Sequence, residues 1–89
     1  LSPDVVDGLE KAWADVEGGA KAMIVASPNP ALFCAGADIK AFTKMDEAGG
    51  RELLDRAHGL FRSWERSRVM TIAAVNGMAL GSGCELAMA

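Results

Sequence analysis

The chain has little of what would point to a metal, a disulfide framework or a polyanionic partner. It holds one histidine, His58, and two cysteines, Cys34 and Cys84, in 89 residues. Those three side chains lie far apart in sequence and have no zinc-ligand spacing. Two cysteines make no disulfide framework, so they read as free thiols in a reducing compartment, serving as small packing residues. Basic residues number 9 against 12 acidic ones. That balance gives no support to nucleic-acid binding, which favours a basic patch. Gly, Asn or charged residues break every apolar run well short of the ~20 residues a membrane-spanning helix needs. No linker, internal repeat, low-complexity stretch or signal-peptide pattern is visible.

What is present suits a globular α/β protein. Apolar residues make up 51% and charged residues 24%, which argues against disorder. The length supports a small core but falls below the usual domain size. The chain begins at Leu1 rather than Met and stops at Ala89 inside a helical pattern. The expectation is an interior piece of a larger domain, truncated at both ends.

Ser2-Pro3-Asp4 reads as a helix start, with a cap, a proline at the first position and an acid against the dipole. Val6, Leu9, Trp13 and Val16 then form one apolar stripe, and Gly18-Gly19 ends the helix. Met23 to Ala26 reads as a buried strand, and Ser27-Pro28-Asn29-Pro30 as a loop. A short helix follows Asp38, which reads as its cap. Asp46 to Gly50 reads as a breaker, and Arg51 to Arg66 as a longer helix. Leu53, Leu54, Ala57, Leu60, Phe61 and Trp64 supply the apolar face of that helix, and Glu52–Arg56 is a candidate pair on its wet face. Val69 to Val75 reads as a second buried strand. The order α-β-α-α-β-α predicts parallel pairing through helical crossovers.

Two glycine-flanked segments carry the chemistry: Phe33-Cys34-Ala35-Gly36-Ala37-Asp38-Ile39-Lys40 and Asn76-Gly77-Met78-Ala79-Leu80-Gly81-Ser82-Gly83-Cys84-Glu85-Leu86. Each reads as a strand, a tight turn and a helix start, a geometry that bares backbone N–H groups. Two such turns facing each other would hold one developing negative charge on an oxygen. The second turn adds a carboxylate, Glu85. For a thioester ligand, attack at the β-carbon or loss of an α-proton passes through an enolate, whose oxygen needs donors already in place. The small triplets Ala35-Gly36-Ala37 and Gly81-Ser82-Gly83 would let a substrate approach closely.

FCAGADIK followed by AAVNGMALGSGCELAMA resembles the enoyl-CoA hydratase/isomerase, or crotonase, superfamily, over almost the whole chain. The resemblance implies a crotonase (ClpP/crotonase-like) α/β fold of repeated ββα units, with residues 1–89 part of a single domain. It implies backbone N–H donors at Ala37 and Ser82, although the family usually has glycine at the second of these. It implies a CoA-binding segment at Ala35, Ala37, Asp38 and Ile39. Glu85 matches the first of two catalytic glutamates in the hydratases; the second would lie beyond Ala89. The implied activity is enoyl-CoA hydratase, a hydro-lyase of fatty-acid β-oxidation acting on an acyl-CoA thioester. CoA comes with the substrate, and no metal or other cofactor is implied. A trimer or dimer of trimers in the cytoplasm completes the expectation. Within the family the alternatives are an enoyl-CoA isomerase or the hydratase portion of a multifunctional β-oxidation protein.

Other readings compete. Ser82-Gly83-Cys84-Glu85 has the spacing of a capping box. Gly77-x-x-x-Gly81-x-Gly83 copies the spacing of NAD(P)-binding short-chain dehydrogenases, which predicts an acid about 20 residues downstream. That motif normally follows the first strand of its domain, and it leaves Glu85 unexplained. A non-catalytic crotonase-fold scaffold is a third reading. His58, with no partner at fixed spacing, reads as a surface or packing residue. Trp13 and Trp64 read as core, and Lys40 and Lys44 as either CoA-phosphate ligands or a solvated face.

Overall fold

A computed structural model describes residues 1–36 and 39–89, with only the backbone described at 39 and 42. Helix α1 spans Pro3–Glu17. It starts as expected: the Ser2 Oγ accepts from the Val5 N–H at 3.3 Å, Pro3 is the first helical residue, and Gly18 is the C-cap. Strands β1 (Ala22–Ala26) and β2 (Leu32–Cys34) follow, then helices α2 (Ile39–Lys44) and α3 (Glu47–Arg66). The chain closes with β3 (Met70–Ala74), β4 (Met78–Ala79) and α4 (Ser82–Met88).

The long helix starts earlier than its glycines suggest. Asp46 is its N-cap, and the Asp46 Oδ1 accepts from the Gly49 N–H at 2.7 Å. The cap and the packing of buried Gly50 carry the helix through Gly49-Gly50, against a propensity cost of about 1 kcal/mol per glycine. Its apolar face meets α1. The Trp13 and Trp64 rings lie 6.3 Å apart, and those of Phe61 and Trp64 5.4 Å apart. Both distances fall in the tilted range that favours aromatic pairs. Val6, Leu53, Ala57, Leu60, Val69, Phe33 and Leu86 complete the buried cluster. Arg56 turns away from Glu52 and bonds both Asp7 and Glu10 on α1. Those bonds, to Glu10 first and Asp7 second, hold its guanidinium above its ordinary pKa.

Pairing is parallel, as the crossovers require. β1 pairs with β3, from Ala22↔Met70 to Ala26↔Ala74, and β2 pairs with β4, with Leu32↔Met78 and Cys34↔Ala79. The element order α-β-α-α-β-α leaves out β2 and β4, the strands with which the two glycine motifs open, because at three and two residues they are too short to show a period. With them in place the chain reads as two ββα units whose strands pair by rank, the architecture the resemblance implied.

β1 and β3 depart from expectation in one respect: they are half-buried rather than buried. Met23, Val25 and Ala73 pack on the core, while Ile24 and Met70 on the other face are 66% and 65% exposed. Successive side chains of a strand point to opposite faces, and these helices cover only one. Cys34 and Cys84 are free thiols, each half-buried. No described helix is long and apolar enough to cross a membrane.

Candidate active site

Because β2 and β4 are parallel neighbours, the turns that follow them leave the same edge. The loops that precede them are also joined, by the Asn76 Nδ2 donating to the Asn29 carbonyl at 2.7 Å. Beyond the strands the Leu80 N–H donates to the Cys34 carbonyl at 3.0 Å. Gly36 is buried with φ +99°, and a Cβ there would lie 2.7 Å from the Leu80 oxygen and 3.4 Å from the Ser82 nitrogen. A Cβ at Gly83 would lie 2.3 Å from the Cys34 oxygen. Main chain therefore packs directly on main chain, and only residues without side chains allow that approach.

The Ser82 backbone N–H lies at this contact. Ser82 is the first residue of α4, and its N–H has no acceptor among the described residues. Its Oγ is buried and also lacks a partner. Ala37, the other expected donor, lies outside the described residues, as does Asp38 with its expected CoA-binding and capping roles. Of the remaining CoA-segment residues, Ala35 is exposed beside the turn and Ile39 opens α2. Lys40 and Lys44 are exposed on α2.

The capping-box reading of Ser82 and Glu85 fails. The N-cap is Gly81, at φ +54°, and it makes no side-chain cap bond. Ser82 is already inside the helix, so Glu85 sits four residues past the cap rather than three. That register leaves the carboxylate free of the helix start.

Glu85 instead stands between two clefts. One is apolar and lined by Val6, Leu53, Leu54, Ala57 and Phe61, with Ser82 and Glu85 at its edge. The other is open and lined by Phe61, Arg62, Glu65 and Met88 beside Glu85. The apolar wall covers only one side of the carboxylate, whose side chain is 55% exposed. His58 borders both clefts. Its Nε2 lies 3.7 Å from the Glu85 Oε2. The histidine is half-exposed, as a surface residue would be, yet it has a partner on another helix that sequence spacing could not reveal.

This arrangement leaves an unused main-chain N–H at the junction of two turns, with a half-exposed carboxylate one helical turn further on. It also accounts for the glycines of the second motif. A Cβ at Gly83 would strike Cys34 and one at Gly77 would strike Ala31, while Gly81 takes a positive φ, tasks unrelated to cradling a dinucleotide. Among the described residues, no cluster of His, Cys, Asp or Glu could hold a metal ion.

Known proteins share this architecture. A family model described as enoyl-CoA hydratase/isomerase matches residues 1–89. The mitochondrial methylglutaconyl-CoA hydratase of Homo sapiens is 35% identical over 91 residues, which take in 100% of this chain and 27% of the relative. The short-chain-enoyl-CoA hydratase of Clostridium acetobutylicum is 34% identical over 90 residues, covering 99% of this chain and 34% of its own. The crystal structure of an enoyl-CoA hydratase from Bacillus anthracis matches with a TM-score of 0.90 at 30% identity, over 99% of this chain and 35% of that one. The chain thus spans about a third of the length of the relatives it matches. With the paired ββα units and two abutting glycine turns, these matches show that the chain belongs to the enoyl-CoA hydratase/isomerase family and has the crotonase fold.

Proposed function

We propose that the protein carrying this chain is an enoyl-CoA hydratase that adds water to trans-2-enoyl-CoA, giving 3-hydroxyacyl-CoA. The observation that carries the reading is the contact of the two turns. The Ser82 N–H lies beside Gly36, the residue before Ala37, and Glu85 follows one turn later on α4.

In the reaction, water attacks the β-carbon, and the double-bond electrons move onto the thioester oxygen as an enolate. The Ser82 and Ala37 N–H groups hold that oxygen. Each such donor contributes about 2.7–4 kcal/mol to lowering the barrier. Glu85 positions the water and moves protons together with a second glutamate beyond Ala89. One proton leaves the attacking water and one reaches the α-carbon, so the sum is addition of H and OH across the double bond. The substrate brings its own CoA, whose adenine lies along Ala35, Ala37, Asp38 and Ile39, and no separate cofactor takes part. Residues 1–89 form part of one larger domain in this reading. The whole protein works in β-oxidation as a cytoplasmic trimer or dimer of trimers.

Hydration of crotonyl-CoA by the whole protein, with and without Glu85→Gln, tests the proposal. The expected result is a loss of kcat of about 100-fold or more, in line with general acid–base contributions. An unchanged rate removes Glu85 from the mechanism. No hydration of crotonyl-CoA, with conversion of a 3-enoyl-CoA to its 2-enoyl isomer, would make the protein an isomerase.

A further inference from the structure

We propose that His58 is a positioning residue for Glu85: its imidazole Nε2 faces the Glu85 carboxylate and holds it at the junction between the apolar cleft and the open one. The inference rests on the hydratase reading and adds to it a residue from a different helix. His58 lies on α3 and Glu85 on α4, with Nε2 and Oε2 3.7 Å apart. That is longer than an N–H···O hydrogen bond. Contacts of this kind often tighten only when substrate occupies the site.

Three observations favour a role in the site over an incidental surface pair. Both side chains border both clefts, so the contact lies at their shared boundary. The apolar cleft is also lined by Ser82, whose N–H is the proposed oxygen donor. Among the described residues His58 is the one group at ion-pair distance from Glu85, although Arg62 lines the same open cleft. A pair this exposed adds little to stability, so stability does not account for its placement. The charged groups around it are Arg62 and Glu65 on α3 and Glu85 itself on α4. Leu1 also borders the apolar cleft, and its main-chain nitrogen donates to the Gly36 carbonyl. An imidazole N–H facing a carboxylate gives it a fixed partner and restricts its rotamers.

The test compares His58→Leu, His58→Gln, Glu85→Gln and the His58→Leu/Glu85→Gln double variant in the whole protein. Crotonyl-CoA hydration is followed, and thermal midpoints are measured for each variant. His58→Leu is expected to lower kcat about tenfold with KM and the thermal midpoint nearly unchanged. His58→Gln, which keeps a donor of similar reach, is expected to recover most of kcat. The double variant is expected to be no slower than Glu85→Gln, because His58 acts through that carboxylate. Wild-type kcat in His58→Leu, or losses that multiply in the double variant, would overturn the role of His58 and leave the hydratase reading intact. Wild-type hydration by Glu85→Gln would remove Glu85, and with it the role of His58, from the mechanism, whereas no hydration by the unaltered protein would overturn the hydratase reading itself. If His58→Leu does not fold, wild-type kcat in a folded His58→Ala overturns the proposal.

Discussion

The two glycine turns end equivalent ββα units, yet they are built to different specifications. The first turn is buried at Gly36, where a positive φ and a neighbouring carbonyl both exclude a side chain. The second turn is exposed at Gly81, where φ is also positive but a Cβ would meet no neighbour within 4 Å. Its close contact comes two residues later, at Gly83 against Cys34. The first turn thus acts by yielding space. The second occupies that space and presents both an unused N–H and a carboxylate. In the proposed site the close approach brings the Ser82 N–H next to the first turn, which carries the other donor, Ala37, and fixed donors stabilise a developing charge without reorganising.

The difference between the turns gives experiments of decreasing expected effect. Ser82→Pro deletes the proposed donor at a first helical position, where proline is well accommodated. It should lower kcat about 100- to 1,000-fold, while Ser82→Gly, which keeps the N–H, should stay within a few-fold of wild type. Near-normal turnover by Ser82→Pro would move the donor elsewhere. Next come the contact glycines. Gly36→Ala should destabilise the fold by about 3 kcal/mol, since it adds a left-handed backbone penalty to overpacking. Gly83→Ala, which meets overpacking alone, should cost about 2 kcal/mol. Denaturant unfolding measures both, and Gly83→Ala proving the more damaging would reverse the assignment of roles. Gly81→Ala should cost only about 1–2 kcal/mol, because strain acts there without a clash. The smallest effect is far from both turns. Arg56→Gln should lower the thermal midpoint slightly, by a margin that shrinks with added salt, as expected for a partly exposed ion-pair cluster.

Local signals were legible wherever a single stretch of chain decides the outcome. The Ser2 cap, the stripe of α1, the apolar face of α3 and the two longer strands all follow from side-chain chemistry within a few residues. Where a contact from elsewhere decides, the sequence is a poorer guide. The start of α3 depended on the Asp46 cap outweighing Gly49-Gly50. The capping-box spacing of Ser82 and Glu85 depended on which residue takes the cap, and the positive φ of Gly81 shifted the register by one. The partners of Arg56 and His58 lie 46 and 27 residues away along the chain. Periodicity along one helix carries no information about such partners.

By itself the sequence determined the α/β class, the parallel crossovers, the two turn motifs and the family whose pattern they match. These depend on hydrophobic period, glycine placement and residue identity at short range. The tertiary structure decided that β2 and β4 lie side by side, so that the turn at Gly36 meets the N–H of Ser82, and that Glu85 faces His58 across two clefts. Each of these needs segments more than 25 residues apart to pack at atomic contact. Main-chain packing and core formation set such contacts, and the local preferences of either segment do not encode them.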